Sequence, residues 1–349
     1  MKTNFNDHFP PEILKATADL DLVITSSSCH QAIEEILAQS ILVGGKRLRP
    51  LLCFLMGHLL HLPPRELSIF SRATELVHGA SLSHDDVIDN ATLRRGLPSI
   101  NMIASNKKAV LAGDYLLSKV IVDLCTTNRL DLVSAMASVI KELTEGEWLQ
   151  LDLISSKAYT KKALYEVAFK KTSSVMGFCT FAPMAYLNFA PENVLKASKE
   201  FGEHLGIAFQ LIDDVIDFSD SETSLKDQML DFENGIVNSV SFDMFLSHPD
   251  LWQRYQAGEN LLDLFKLIPK ESLARSLKNI EAEAHLFLEK SLDALAVIET
   301  FLASPEFIDH EEKLKSQEDF KGQLSLKENL DQRLDYLRSL VSLLALRKK

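Results

Sequence analysis

Apolar positions along this chain recur mostly at steps of three and four residues, and alternating runs rich in Val, Ile or Thr are few, so the pattern predicts α-helix throughout. From Gln31 to about Tyr186 this periodicity is nearly continuous. Breaks are expected where Gly and Pro support helix least, at Gly44-Gly45, Leu62-Pro63-Pro64, Arg94 to Pro98 and Gly113. A second helical block runs from Pro191 to about Phe218, and a last helix from Leu330 to Leu346. The polar stretch Ser219 to Asp227 reads as loop, and residues 303–328, rich in Glu, Lys, Asp and Ser, read as a solvated polar insertion. Residues 1–30 carry Pro10-Pro11 and a Ser run at 26–28, and form a variable lead-in. No repeat of roughly 20 to 50 residues is present. The breaks therefore read as turns inside one all-α domain spanning residues 1–349.

Composition narrows the possibilities. A hydrophobic content of 46% over 349 residues supplies a substantial core. Cys29, Cys53, Cys125 and Cys179 are far apart, make no C-x-x-C pair and accompany no signal-peptide pattern, which points to a reduced, cytoplasmic protein. The apolar stretch Leu51 to Leu62 is interrupted by His58 and falls short of the roughly 20 residues a membrane span needs, so a buried helix is expected and no transmembrane segment. The net charge of −12 argues against nucleic acid or anionic lipid as partners. An anionic substrate would need an intervening cation.

Such a cation has candidate ligands. Asp85-Asp86-Val87-Ile88-Asp89 lies in an apolar helical run, and the same pentapeptide returns as Asp213-Asp214-Val215-Ile216-Asp217. On a helix, positions i and i+4 share a face, so Asp85 projects with Asp89 and Asp213 with Asp217, while the middle residues sit about 100° around. One such motif alone is equally well explained as a solvated polar face. Two identical copies, each in apolar helix, are costly to desolvate and need a cause. Mg²⁺ supplies one, because it prefers oxygen ligands and binds one or two carboxylates together with substrate phosphates.

Carboxylates cannot hold an anion unaided, and basic groups follow the same segments. Lys46, Arg47 and Arg49 come after Gly44-Gly45, Arg94-Arg95-Gly96 comes after the first acidic cluster, and Lys170-Lys171-Thr172 adds a third group. His78 lies two helical turns before Asp85, and Gln210 three residues before Asp213. Taken singly, each has an ordinary alternative as a solvated helix-end cation or a hydrogen-bonded core residue.

The ordered set resembles the trans-polyprenyl diphosphate synthase family, the chain-elongating isoprenoid synthases of medium- and long-chain type. The resemblance rests on G-G-K-R-L-R-P at 44–50, E-L-V-H-G-A-S-L-S-H-D-D-V-I-D at 75–89, R-R-G-L-P-S at 94–99, V-L-A-G-D-Y-L-L at 110–117, G-E-W-L-Q-L at 146–151, K-T at 171–172 and F-Q-L-I-D-D-V-I-D at 209–217. It implies an all-α bundle of long helices around a deep central cavity, as a homodimer. By the family's pattern, Asp85 and Asp89, facing Asp213 and Asp217, would hold up to three Mg²⁺ ions against an allylic diphosphate. Arg94, Lys171, Thr172, Gln210 and Lys226 would touch that diphosphate. Lys46, Arg49, His78 and Arg95 would hold isopentenyl diphosphate, with Asp86 and Asp214 assisting behind the metal ligands. In the implied chemistry the allylic C–O bond ionises, the isopentenyl alkene attacks the cation, and the released diphosphate takes the proton, so no protein nucleophile is required.

Two features particularise the resemblance. The family usually continues after the second acidic cluster with a glycine-flanked lysine and a second lysine near a Thr and a Pro. Here Lys226 aligns only if the preceding loop is one residue short, Ile236 stands for the second lysine, and Leu225 and Met229 replace glycines. Ala80 and Ser81, one turn before Asp85, are small; in this family bulk at that level stops the growing chain, so products longer than C15 are expected. Rival readings are a non-catalytic subunit of a heteromeric synthase, suggested by the altered 225–240 loop, and a terpene cyclase, whose second metal motif is usually Asn-, Ser/Thr- and Glu-based. A di-iron carboxylate bundle would need a second partner for Glu75-x-x-His78, and the sequence offers none that convinces.

Overall fold

A computed structural model describes residues 5–22, 31–218, 232, 235–317, 325 and 327–347. After a 3-10 turn at Phe5–His8 come α1 (Pro11–Ala18), α2 (Gln31–Gln39), α3 (Leu48–Leu59) and α4 (Pro64–Ile88). A minimal hairpin follows, β1 (Leu93–Arg94) paired antiparallel with β2 (Leu97–Pro98), then α5 (Ile100–Ile103), α6 (Asn106–Cys125), α7 (Leu130–Ser156) and α8 (Lys161–Ala168). A π-helical turn at Phe169–Ser173 leads into α9 (Ser174–Tyr186), followed by α10 (Glu192–Asp217). The remainder is α11 (Ser239–Leu246), α12 (Pro249–Gln256), α13 (Leu261–Phe265), α14 (Lys270–Leu302), α15 (Pro305–Lys315) and α16 (Leu330–Ala345). The fold is all-α, as the apolar periodicity predicts. Among the described residues no helix is long and apolar enough to cross a membrane.

Several boundaries follow from local chemistry. Pro64 and Pro305 open their helices at a first-turn position where the missing N–H costs nothing, and Ser105, Thr160, Ser304 and Asn238 cap theirs with side-chain oxygens. Asn238 and Ser241 complete a capping box at the start of α11, where the altered 225–240 stretch ends. Arg95 and Gly96 both have positive φ, the geometry of a tight two-residue hairpin turn.

The structure differs from the predicted pattern in four places, the first being the lead-in, where Pro11–Ala18 is helical and Ile13 is buried. Gly113 is not a turn but lies within α6, where a Cβ would come 2.2 Å from His84 Nε2; glycine is there so that α4 can approach. The run from Gln31 to Tyr186 is broken at Asn128 and Lys157, both with φ near 55°, left-handed positions taken without glycine. The segment 303–328, expected as a polar insertion, contains α15, whose Phe307 is fully buried against Phe301, Phe189 and His310.

The chain divides into two compact units. The first comprises residues 1–140, 178–195 and 301–337, the second 141–177, 196–300 and 338–349. In the first, Leu51, Leu52, Leu55, Met56, Phe70, Leu76, Val77, Leu116, Val120 and Phe178 form a dry interior. In the second, Phe201, Leu205, Ala208, Leu211, Val240, Phe245 and Ile298 do the same. The first unit also buries a polar network. Arg333 is 2% exposed, donates to the Leu59 carbonyl at 3.2 Å, touches the His61 ring and pairs with Glu311 at 3.3 Å. Beside it, Glu328 accepts from the Tyr336 hydroxyl and pairs with His58, both at 2.6 Å.

Burial, reinforced by the Arg333 charge, pushes the His61 pKa from 6.5 down to about 3. The native state therefore refuses a proton that the unfolded chain accepts below pH 6.5. This contribution to stability is complete above that pH and is lost as pH falls toward 3. His61 also sits at φ 56°, which Asn tolerates. In urea unfolding between pH 6 and 4.5, His61→Asn is expected to flatten the acid loss of stability by up to about 1.4 kcal/mol per pH unit. An unchanged slope would exclude His61 as the titrating group.

Candidate functional site

In the first unit the site grows from the C-terminal half of α4. Asp86 is fully buried, which an unpartnered carboxylate could not be. One of its oxygens accepts from Arg94 Nε at 2.7 Å and Nη2 at 2.6 Å, the other from the Ile100 backbone N–H at 3.3 Å. The middle aspartate thus fastens the hairpin and the start of α5 to α4. Asp85, half-buried, and Asp89, exposed and capping the helix, flank it, with the Asp89 N–H bonded to the Asp85 carbonyl at 2.8 Å.

The next hairpin residue reaches a different segment. Arg95 Nη1 donates to the Val43 carbonyl at 2.7 Å, and its guanidinium lies 3.2 Å from where a Cβ on Gly45 would stand. Gly44 and Gly45, at φ 73° and 83°, supply a backbone that side chains resist and leave room for that guanidinium. Arg49 and Arg95, with Arg47, surround Glu75 closely enough to oppose the rise that burial imposes on its pKa. His78, one turn on, is held well below its usual pKa by burial and by the charges of Arg49, Arg95 and Arg94, so its imidazole is neutral. Among the described residues Arg49 Nε is buried without a hydrogen-bond partner. The structure therefore gathers Arg49, His78 and Arg95, and leaves Lys46 exposed in the turn before α3. Ala80 is buried and Ser81 half-buried, its hydroxyl donating to the His78 carbonyl at 2.9 Å.

In the second unit the π-helical turn presents Lys171 and Thr172. Close packing at two glycines permits it. A Cβ on Gly146 would lie 2.8 Å from the Lys170 side chain, and one on Gly206 would lie 2.5 Å from the Ser173 backbone. Lys171 pairs with Glu147 and donates to Gln150 Oε1 at 3.1 Å, both from the G-E-W-L-Q-L segment. The Thr172 hydroxyl donates to Gln210 Oε1 at 3.0 Å, and Gln210 Nε2 donates to Asp214 Oδ1 at 2.9 Å. The other Asp214 oxygen accepts from the Ser239 N–H at 3.0 Å and its hydroxyl at 2.6 Å. Burial raises the Asp214 pKa, and these hydrogen bonds oppose the rise. Asp213 pairs with Arg347 at 2.5 Å, and Asp217 ends α10. Lys226 lies outside the described residues.

Asp86 and Asp214 thus play the same part: each is a buried acceptor that fastens a following segment. Among the described residues no three His, Cys, Asp or Glu side chains form a metal cluster by themselves. The outer pairs, Asp85 with Asp89 and Asp213 with Asp217, offer only carboxylate oxygens at i, i+4 spacing. That donor set suits a hard cation completing its shell with phosphate and water. Neither the π turn nor Arg347 carries a signature in the sequence; Glu75 lies within the 75–89 motif and Ser239 at the end of the altered loop.

A model of the polyprenyl synthetase family matches residues 30–256. A mitochondrial solanesyl-diphosphate synthase of Oryza sativa subsp. japonica is 33% identical over 272 residues, covering 68% of this chain and 63% of that protein. A decaprenyl-diphosphate synthase of Dictyostelium discoideum is 36% identical over 200 residues, 56% of this chain and 42% of the other. The chain spans roughly half the length of the curated relatives it matches. Among solved structures, a decaprenyl diphosphate synthase from Rhodobacter capsulatus superposes with TM-score 0.74 at 24% identity over 97% of both chains. A polyprenyl synthase from Caulobacter crescentus, complexed with calcium and isoprenyl diphosphate, superposes with TM-score 0.76 at 22% identity over 97% of this chain and 95% of the other. These likenesses show the fold.

If the middle aspartates act as fasteners, Asp86→Ala and Asp214→Ala each lower the unfolding free energy by on the order of 1–3 kcal/mol, the cost of stranding buried donors. Asp89→Ala, at an exposed position, changes it by less than about 0.5 kcal/mol. Denaturant titration of the three variants distinguishes them.

Proposed function

Because the chain belongs to the polyprenyl synthetase family, we propose that it is a Mg²⁺-dependent trans-prenyltransferase that condenses isopentenyl diphosphate with an allylic diphosphate into a linear polyprenyl diphosphate longer than C15. The observation that carries this reading is the division of labour in both D-D-x-x-D motifs: the middle aspartate is spent on structure, leaving Asp85 with Asp89 and Asp213 with Asp217 as metal ligands. When bound, Mg²⁺ neutralises charge on the departing diphosphate.

The chain's own residues do the rest. Lys171, Thr172, Gln210, Lys226 and Arg94 are the candidates for orienting the allylic diphosphate. Arg49 and Arg95, with the neutral His78 and the exposed Lys46, hold isopentenyl diphosphate; Glu75 keeps the guanidinia from repelling one another while that site awaits its anion. Small side chains at Ala80 and Ser81 support products beyond C15, as do relatives named for solanesyl, decaprenyl and hexaprenyl products. The exposed hydrophobic side chains Leu93, Leu97, Met102, Leu111 and Val122 in the first unit support a homodimer. Cytoplasmic placement rests on the thiols Cys53 and Cys125.

Purified protein supplied with Mg²⁺, labelled isopentenyl diphosphate and farnesyl diphosphate should yield linear prenols longer than C15 after dephosphorylation. Cyclic hydrocarbon, or no product until a second polypeptide is added, would refute the proposal. Asp85→Asn and Asp213→Asn should each reduce kcat on the order of a hundredfold or more. Ala80→Phe should shift the product distribution to shorter chains while isopentenyl incorporation continues, which chromatographic sizing reads directly.

A further inference from the structure

Arg347 follows α16 in a segment that carries none of the family's motifs. Its guanidinium lies 2.5 Å from Asp213 Oδ1, and its central carbon 4.5 Å from the centroid of the Phe209 ring. Phe209 and Asp213 are one helical turn apart on α10, so ring and carboxylate form two walls of a seat for one planar cation. The seat is partly shielded from water, the Arg347 side chain being 23% exposed and that of Asp213 31%. A pair so placed is stronger than an open surface pair, and stacking makes the guanidinium harder to replace with a flexible ammonium.

Asp213 is also an outer residue of the second acidic motif, and a carboxylate oxygen engaged by a guanidinium is not open to a divalent ion. We propose that Arg347 is a tethered counter-cation of this motif, one that a metal must displace from Asp213 before it can bind there. This rests on the reading of Asp213 and Asp217 as Mg²⁺ ligands. It follows that the motif takes up free metal poorly, and takes it up readily only when a diphosphate arrives with it and adds its own negative charge. The guanidinium thereby discourages metal loading of the enzyme without substrate.

The test is direct metal binding to the full chain, with Mn²⁺ as a paramagnetic probe followed by electron paramagnetic resonance, with and without inorganic pyrophosphate. Arg347→Gln is expected to bind Mn²⁺ about tenfold more tightly than wild type without pyrophosphate, and the gap should narrow when pyrophosphate is present. Arg347→Lys, which keeps the charge but loses the planar stack, should fall between them and controls for loss of folding. In an Asp213→Asn background the substitution at 347 should change nothing. Equal Mn²⁺ affinity of wild type and Arg347→Gln, with pyrophosphate-supported binding intact in both, overturns this proposal alone. Absence of Mn²⁺ binding in every variant even with pyrophosphate overturns it together with the metal assignment.

Discussion

A carboxylate in a dry helix must find donors or give up its charge, and the arrangement of the segments around both acidic motifs follows from how Asp86 and Asp214 find theirs. Asp86 takes both donors of one arginine edge and a backbone N–H at the start of α5. Asp214 takes a glutamine amide and both donors of Ser239 at the start of α11. In each case a motif on a rigid helix fixes the entry of the segment that follows it. Arg94 and Arg95 reach their positions because the hairpin between them and α5 is held this way, and Thr172 is tied through Gln210 to the same anchor in the second unit.

The basic groups face the opposite difficulty. Arg47, Arg49 and Arg95 crowd one region that also contains the half-buried imidazole of His78. Without an anion such a cluster is self-repelling. Glu75 supplies internal charge balance, and a neutral His78 avoids adding another positive charge while still offering an N–H. The cluster's charge is thus partly balanced from within the fold.

Helical content was legible because the apolar period of three to four is strong, and the ends at Tyr186, Asp217 and Ala345 fall where the pattern stops. The acidic motifs and their middle residues were legible because an aspartate triplet inside apolar helix has few physical explanations. The unread parts lacked such a signature. Asn128 and Lys157 break helices by adopting left-handed φ, which composition does not announce in a lysine. Gly113 looked like a break because glycine disfavours helix, whereas its absent side chain serves His84 on another helix. Residues 303–328 looked solvated because charges outnumber hydrophobes, yet Phe307 and Leu314 at i, i+7 suffice to seat α15. Arg347 carried no signal, since its partner lies far away in sequence.

The π turn at 169–173 has an implication for how this chain can change. It contains one residue more than an α-helical turn, so it is locally a poorer helix than its sequence could make. Deleting a single residue there would restore regular hydrogen bonding and rotate everything on one side by about 100° relative to the other. Lys171 and Thr172 would then swing off Gln150 and Gln210. A change that merely regularises the helix at this point therefore also shifts the phase between the two sides of the turn.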